Sequence, residues 1–271
     1  MPDLPVPALS GDLRSLGVGE GDTVMVHASL RKIGPVEGGA EGVVAALEKA
    51  VGPGGTLLMT LGALDKWSWV NERLESERQA LLAGSPPFDF RSTPADPDVG
   101  VLAEVFRKAP GTMVNDHPEG RFGARGRLAR ELLRAAPWND YYGPGSPLER
   151  LVAHGGTVLR LGADPGTVTL LHYAEYMSSV PNKRRVRRLR MVMGRDGPEV
   201  RSVDSLDDSD GIVERPGEDY FATILHAYLA TGRARSGTVG HAASELIDAS
   251  DIVDFAVAWM NEHLAEGRPG L

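Results

Sequence analysis

The sequence predicts a three-layer α/β/α domain, and three observations carry that prediction. Two short runs, residues 23–26 and 56–61, are apolar almost throughout, as in strands covered on both faces of a sheet. Between them, residues 40–51 place Val43, Val44, Leu47 and Val51 at helical spacing and stop at Gly52-Pro53-Gly54-Gly55, so strand, helix and strand read as a parallel crossover. A third strand, residues 157–161, follows a helix and a Gly155-Gly156 turn. With 271 residues the chain is long enough for one large domain, residues 1–271, with a sizeable core.

Taken in order, a proline-rich lead precedes a short helix over residues 12–16, ended by Gly17 and Gly19. The first strand then delivers His27, Ala28 and Ser29 into a glycine-containing loop, the position where α/β proteins place ligands. The strand at 56–61 leads to Asp65 and to an insert over residues 66–91, with a helix expected from about residue 70 to 82 and aromatics at its edges; long inserts of this kind serve as lids or binding loops. Residues 99–108 form an amphipathic helix stopped by Pro110-Gly111. His117-Pro118 reads as a turn with an immobilised backbone, and 128–136 as a helix. The loop at 137–147 is rich in turn formers and aromatics, and Asp140, Tyr141 and Tyr142 there can line a polar, sugar-shaped site. Residues 166–181 form a second short helix ending before Pro181. A β-hairpin over 186–203 turns at 194–197, and its basic run reads as a solvated strand face. An acidic stretch follows, including Asp207 and Asp210, and then two amphipathic helices at 220–231 and 250–265 joined by a loop.

Bulk composition excludes several classes. There is no cysteine, which removes disulfides, thiolate metal sites and a cysteine nucleophile. A net charge of -8 disfavours nucleic acid and favours a cationic ligand. No apolar run approaches a membrane span and the start lacks a signal-peptide pattern, so a cytoplasmic protein without membrane or nucleic-acid partners is expected.

The chemistry concentrates at His172 and Glu175. Three residues apart on a helix, the two side chains are neighbours, and a carboxylate beside an imidazole raises its pKa and fixes its tautomer. That pair is a candidate general base.

Several long segments, in order, resemble the antibiotic N-acetyltransferase family, the aminoglycoside 3-N-acetyltransferases. They are GPGSPLERLVAHGGTVLRLGADPGTVT with the helix after it, DTVMVHASLRKIGPVEGGAEGVVAALEKAVGPGGTLLMT, FDFRSTPADPDVGVLAEVFRKAPG, DHPEGRFGARG and ASDIVDFAVAWMNEHL. Together they cover about four fifths of the chain, far more specific than any single motif. The resemblance implies a mixed central sheet and an acetyl-CoA co-substrate with no metal. It implies transfer to the 3-amino group of a 2-deoxystreptamine ring, conferring resistance, by a monomer or homodimer. It assigns His27, Ser29, Leu30, Arg31, Ile33, Gly34 and Val36 to the coenzyme, with His117 and Phe122 near it. The family's Arg-Ser-x-His-Pro motif, followed by Ser-Phe-Ala-Ala, is kept here only at His117, Pro118, Phe122 and Ala124. It also implies that Asp65 and Asp207, with Asp210 as the alternative to Asp207, face the histidine or the polyamine. Asp89, Asp140, Tyr141 and Glu175 complete the candidate substrate contacts.

An amine must be neutral to attack a thioester, so a histidine titrating near ambient pH suits the role of base, and His172 takes it. Its orienting carboxylate is Glu175 by helix geometry, or Asp207 with Asp65 nearby by the family resemblance; the sequence leaves both open. Ser29 or an amide of its loop is the candidate oxyanion donor. With no cysteine and no GxSxG elbow, direct transfer is expected rather than an acetyl-enzyme. The competing readings are acyl transfer to another amine, a non-catalytic aminoglycoside binder, and a metal hydrolase using His27, His117 and His172.

Overall fold

A computed structural model describes residues 3–215 and 217–264. Met1, Pro2 and Ala265, at the outer ends of the expected lead and last helix, lie outside them. Helix α1 (Val6–Leu16) precedes β1 (Thr23–Ala28), a single turn α2 (Leu30–Ile33), α3 (Gly39–Val51) and β2 (Thr56–Thr60). Next come α4 (Glu75–Leu82), α5 (Val101–Lys108), β3 (Met113–Val114), β4 (Phe122–Gly126), α6 (Ala129–Leu132), α7 (Pro147–Ala153), β5 (Thr157–Leu161) and α8 (Leu170–Met177). The chain continues through the hairpin β6 (Arg185–Met193) and β7 (Pro198–Leu206), then α9 (Tyr220–Ala230), β8 (Arg235–Val239), β9 (Ala242–Asp248) and α10 (Ala249–His263).

Seven strands form one sheet in the order β3, β4, β2, β1, β5, β9, β8. β1 runs parallel to β2 and β5, and every other pairing in that sheet is antiparallel, so the sheet is mixed. Side chains alternate between its faces. Met25, Leu58, Val158 and Ile247 enter one core with α8, α9 and α10. Val24, Val26, Leu57, Leu159 and Leu246 enter the other with α1, α3 and α5. Burial on both faces is why the central strands read as unbroken apolar runs.

The structure extends and corrects several expectations. α1 begins at Val6, six residues before the predicted start, because Pro7 sits in its first turn, where a missing N–H costs nothing. The insert carries a 3-10 turn, Ser68–Glu72, before α4 rather than one helix from residue 70. It leans on the hairpin through Asn71, whose side chain accepts from the Leu189 amide at 2.7 Å. The helix predicted over 128–136 shrinks to the four residues of α6. β4 and the pair β8 and β9 were not foreseen. β4 reads FGARG, with two glycines in five residues, and β8 is a largely exposed edge strand, so neither shows an apolar period.

Candidate active site

The carboxyl ends of β1, β2 and β5 open onto a cleft of about 560 Å³ lined by His27, Ser29, Leu30 and Arg31 on one side and by Thr60, Gly100, Thr169 and His172 on the other. A second cleft of about 480 Å³ shares His172 and Asp208 and continues along Asp210, Glu218, Tyr220 and Phe221. His172 therefore stands where the two meet. Parallel strands end here and their connections diverge, leaving room for ligands at the sheet edge.

α8 positions the imidazole. The His172 amide bonds the Thr169 carbonyl at 3.1 Å, and Thr169 is tied to β2 through the Thr60 hydroxyl at 3.2 Å. Tyr142 stacks on the imidazole with centroids 5.0 Å apart at 10°, and Phe221 packs against it at 4.7 Å. Nδ1 lies 2.8 Å from Glu175 Oε2, and Nε2 has no protein partner among the described residues. Glu175 is buried, and its other oxygen accepts from the Tyr220 hydroxyl, which itself accepts from the Ile212 amide at 3.1 Å. With the carboxylate as acceptor, Nδ1 carries the proton and Nε2 presents a lone pair. Burial, the largest influence, lowers the His172 pKa, but the charge and hydrogen bond of Glu175, with Asp208, outweigh it and raise the value above the usual 6.5. Burial first, and then the Glu175 charge, holds the Tyr220 hydroxyl well above the usual range, so it remains a donor.

Of the two carboxylates the sequence left open, Glu175 is the one in contact with His172. Asp207 is buried, but Oδ1 accepts from the amides of Ser209 and Asp210 and Oδ2 pairs with Arg184 at 2.9 Å; it orders its own loop and does not touch His172. Asp65 accepts from the Trp67 amide at 2.8 Å and pairs with Arg190, lining a separate cleft beside the insert. Asp89 closes an exposed turn onto Ser92 and the Arg91 amide, and Asp140 pairs with Arg185 at 2.7 Å. Neither lines either cleft at His172. Asp210 lines the second cleft without a side-chain partner among the described residues. Tyr141 is buried and donates to Asp208 at 2.6 Å.

Of the residues assigned to the coenzyme, His27, Ser29, Leu30 and Arg31 line the first cleft. Ile33, Gly34 and Val36 do not. Ile33 and Val36 are buried in the α1–α3 core, and Gly34, at φ 90°, is where a Cβ would meet the His241 ring at 2.6 Å. His117 also faces away. Its Nδ1 accepts from the Glu119 and Gly120 amides at 3.1 and 2.8 Å and Nε2 donates to the Trp138 carbonyl at 2.9 Å, which fixes a turn and leaves no nitrogen for a ligand. Phe122 is core. The three histidines of the metal reading are therefore not gathered, and no cluster of three His, Asp or Glu suited to a metal occurs among the described residues.

The basic run is a solvated face only in part: Arg185 and Arg187 of β6 are half-exposed and pair with Asp140 and Asp204, whereas Arg188 and Arg190 of the same strand are largely buried and pair with Asp208 and with Asp65 and Glu119; Arg184, just before the strand, pairs with Asp207. Also missed were Asp208, Tyr220 and Thr60. Asp208 is one of several acids in a hydrated-looking run, and Tyr220 lies 45 residues from Glu175, so no local spacing marks either.

A coenzyme-type ligand fits the first cleft on chemistry the structure shows. Val26, Leu30, Val99 and Val101 give it apolar lining, and Arg31 adds a cation with no acidic partner among the described residues, as an acyl-pantetheine arm ending in phosphates requires; the Lys32 charge is already paired with Asp164 at 2.9 Å. The buried His27 Nε2 has no partner there, and burial, then Arg160, lowers its pKa to about 4, so it is neutral.

Residues 25–261 match the model of the family described as aminoglycoside 3-N-acetyltransferase. The chain is 42% identical over 266 residues to aminoglycoside N(3)-acetyltransferase III of Serratia marcescens, covering 95% of this chain and 97% of that one. Among solved structures, AAC-IIIb in binary complex with CoASH superposes with a TM-score of 0.91 at 36% identity over the full length of both chains. AAC-VIa bound to sisomicin gives the same TM-score at 36% identity, covering 98% of this chain and 100% of that one. The fold and the relatives are those of an acyltransferase. The chain belongs to the aminoglycoside 3-N-acetyltransferase family.

Proposed function

We propose that this protein transfers the acetyl group of acetyl-CoA to the 3-amino group of the 2-deoxystreptamine ring of an aminoglycoside, with His172 as general base and no covalent acetyl-enzyme. One observation carries the reading: the His172, Glu175 and Tyr220 chain stands between a cleft bounded by residues 27–32 and a cleft bounded by acids. Acetyl-CoA lies in the first, with Arg31 toward its phosphates; the polyamine lies in the second. His172 Nε2 takes the proton as the amine nitrogen bonds the thioester carbon, Glu175 stabilises the imidazolium, and the carbon–sulfur bond then breaks to release CoA, the proton passing to its thiolate. The Ser29 amide already bonds the Leu161 carbonyl at 2.9 Å, so the Ser29 hydroxyl or the Leu30 or Arg31 amide is left to meet the oxyanion.

The test follows free CoA thiol released by the purified protein with a panel of aminoglycosides, with and without a chelator. Drug-dependent release that ignores the chelator is expected. His172→Ala should lower kcat by about 100-fold or more while acetyl-CoA binding stays within a few-fold. Intersecting double-reciprocal lines are expected, and parallel lines would replace direct transfer with an acetyl-enzyme. Equal loss of binding and turnover in His172→Ala would make His172 structural.

A further inference from the structure

The carboxylate that lines both clefts already holds a cation. Asp208 lines both clefts with His172. Its Oδ1 is 2.8 Å from Arg188 Nη2, and its Oδ2 accepts from the buried Tyr141 hydroxyl at 2.6 Å. Arg188 also donates to the Tyr141 hydroxyl at 3.2 Å and to Ser209 Oγ at 2.8 Å, so its guanidinium is held by three groups. Around the second cleft the remaining acids differ. Glu218 pairs with Arg215, Asp219 caps α9, and Asp210 has no cationic partner among the described residues.

We propose that Arg188 is a specificity-determining residue, a resident cation that competes with the acceptor's ammonium groups for Asp208. This rests on the aminoglycoside reading above. An arginine is charged at every working pH, and a bound pair of opposite charges presents little net field to a third charge. An acceptor ammonium that approaches Asp208 therefore meets a carboxylate neutralised on one side and hydrogen-bonded on the other. Binding there requires displacing a guanidinium held by Tyr141 and Ser209, or sharing the carboxylate with it. Asp210, unpaired in the same cleft, is the easier anchor. Acceptors whose cations reach Asp210 without needing Asp208 are favoured, and the hairpin strand β6, which follows α8 in the chain, sets that preference.

The experiment compares Arg188→Gln, Arg188→Lys, Asp208→Asn and Arg188→Gln/Asp208→Asn by thiol release, with KM for the aminoglycoside and for acetyl-CoA measured at low and high salt. Arg188→Gln frees the Asp208 charge, so acceptor KM should fall by about tenfold at low salt and rise steeply as salt is added, while KM for acetyl-CoA stays put. Arg188→Lys retains a cation and should resemble the unaltered enzyme. The double substitution should remove the gain. Asp208→Asn leaves Arg188 unopposed, so acceptor KM should rise and then fall with added salt as the repulsion is screened, a reversal readable even if Arg188→Gln does not fold. An acceptor KM unchanged or raised in Arg188→Gln overturns the inference, as does an Asp208→Asn enzyme whose KM rises with salt. Thiol release absent from the unaltered enzyme with every aminoglycoside would instead defeat the functional reading.

Discussion

Glu175 fixes the working proton of this site. It is nearly solvent-free, at 1% exposure, and divides its two oxygens between His172 and Tyr220. A base must be neutral to act, so activity should rise with pH through the His172 pKa, which lies above 6.5 because the Glu175 charge outweighs burial. In Glu175→Gln the largest remaining influence is burial, which lowers that pKa. The rising limb of kcat/KM should then move to lower pH while kcat drops by about 100-fold, since the imidazolium loses its counter-charge. A limb that stays in place would mean another group titrates. The sequence contained the His172 and Glu175 half of this arrangement because both sit on one helix at a spacing that physics ties together. Tyr220 and Asp208 were not legible. They reach the site by tertiary folding, and a tyrosine at a helix start or an aspartate in an acidic run has an ordinary reason to be there. Asp65, Asp140 and Asp207 were read as receivers of ammonium groups for the same reason in reverse: sequence shows charge, not the arginine that already satisfies it.

At the scale of elements, two buried arginines hold irregular chain where helices and strands do not. Arg121, fully buried at the start of β4, donates to the carbonyls of Gly62, Phe90, Thr93 and Pro94 at 2.7 to 3.2 Å and pairs with no carboxylate among the described residues. Arg150 on α7 does the same for Leu132, Arg134, Ala135 and Gly145. Burial lowers the Arg121 pKa to about 10, which leaves it charged at neutral pH. Arg121→Met fits the volume but leaves these carbonyls without their donor, so a loss of about 3 kcal/mol is expected. Hydrogen exchange should localise it: amides at Leu64 and Asp96 should exchange faster while those of β1 and β5 keep their protection. Uniform acceleration would show that Arg121 supports the whole sheet instead. The regular elements were readable because burial on both faces writes itself as apolar runs. The insert and the loop before α7 were not, since their order comes from one side chain bonding several distant carbonyls.

Across the whole molecule, His27, His117 and His172 fall into two classes of opposite sign. His117 and His27 are kept neutral, burial being the first cause in each, with pKa values near 4. His172 is raised. A group whose folded pKa is depressed takes its proton first in the unfolded chain, near 6.5, so the unfolded state binds more protons between pH 6.5 and about 4. Stability is therefore full above 6.5 and declines as pH falls through that window. His172 acts the other way, adding stability that is present at low pH and fades as pH rises through its own raised pKa. His117, at 2% exposure and with both nitrogens committed, should contribute a loss of about 3 kcal/mol across its window. Carboxylates titrate in the lower part of the same range, and their share is common to both proteins when the natural chain is compared with His117→Gln. Urea midpoints measured from pH 7.5 to 4 should fall less steeply in the variant, the two curves converging toward acid pH because the variant begins lower at neutral pH and has no buried imidazole to charge. Parallel curves would mean that His117 already binds its proton in the folded state, which the two backbone amides donating to Nδ1 forbid.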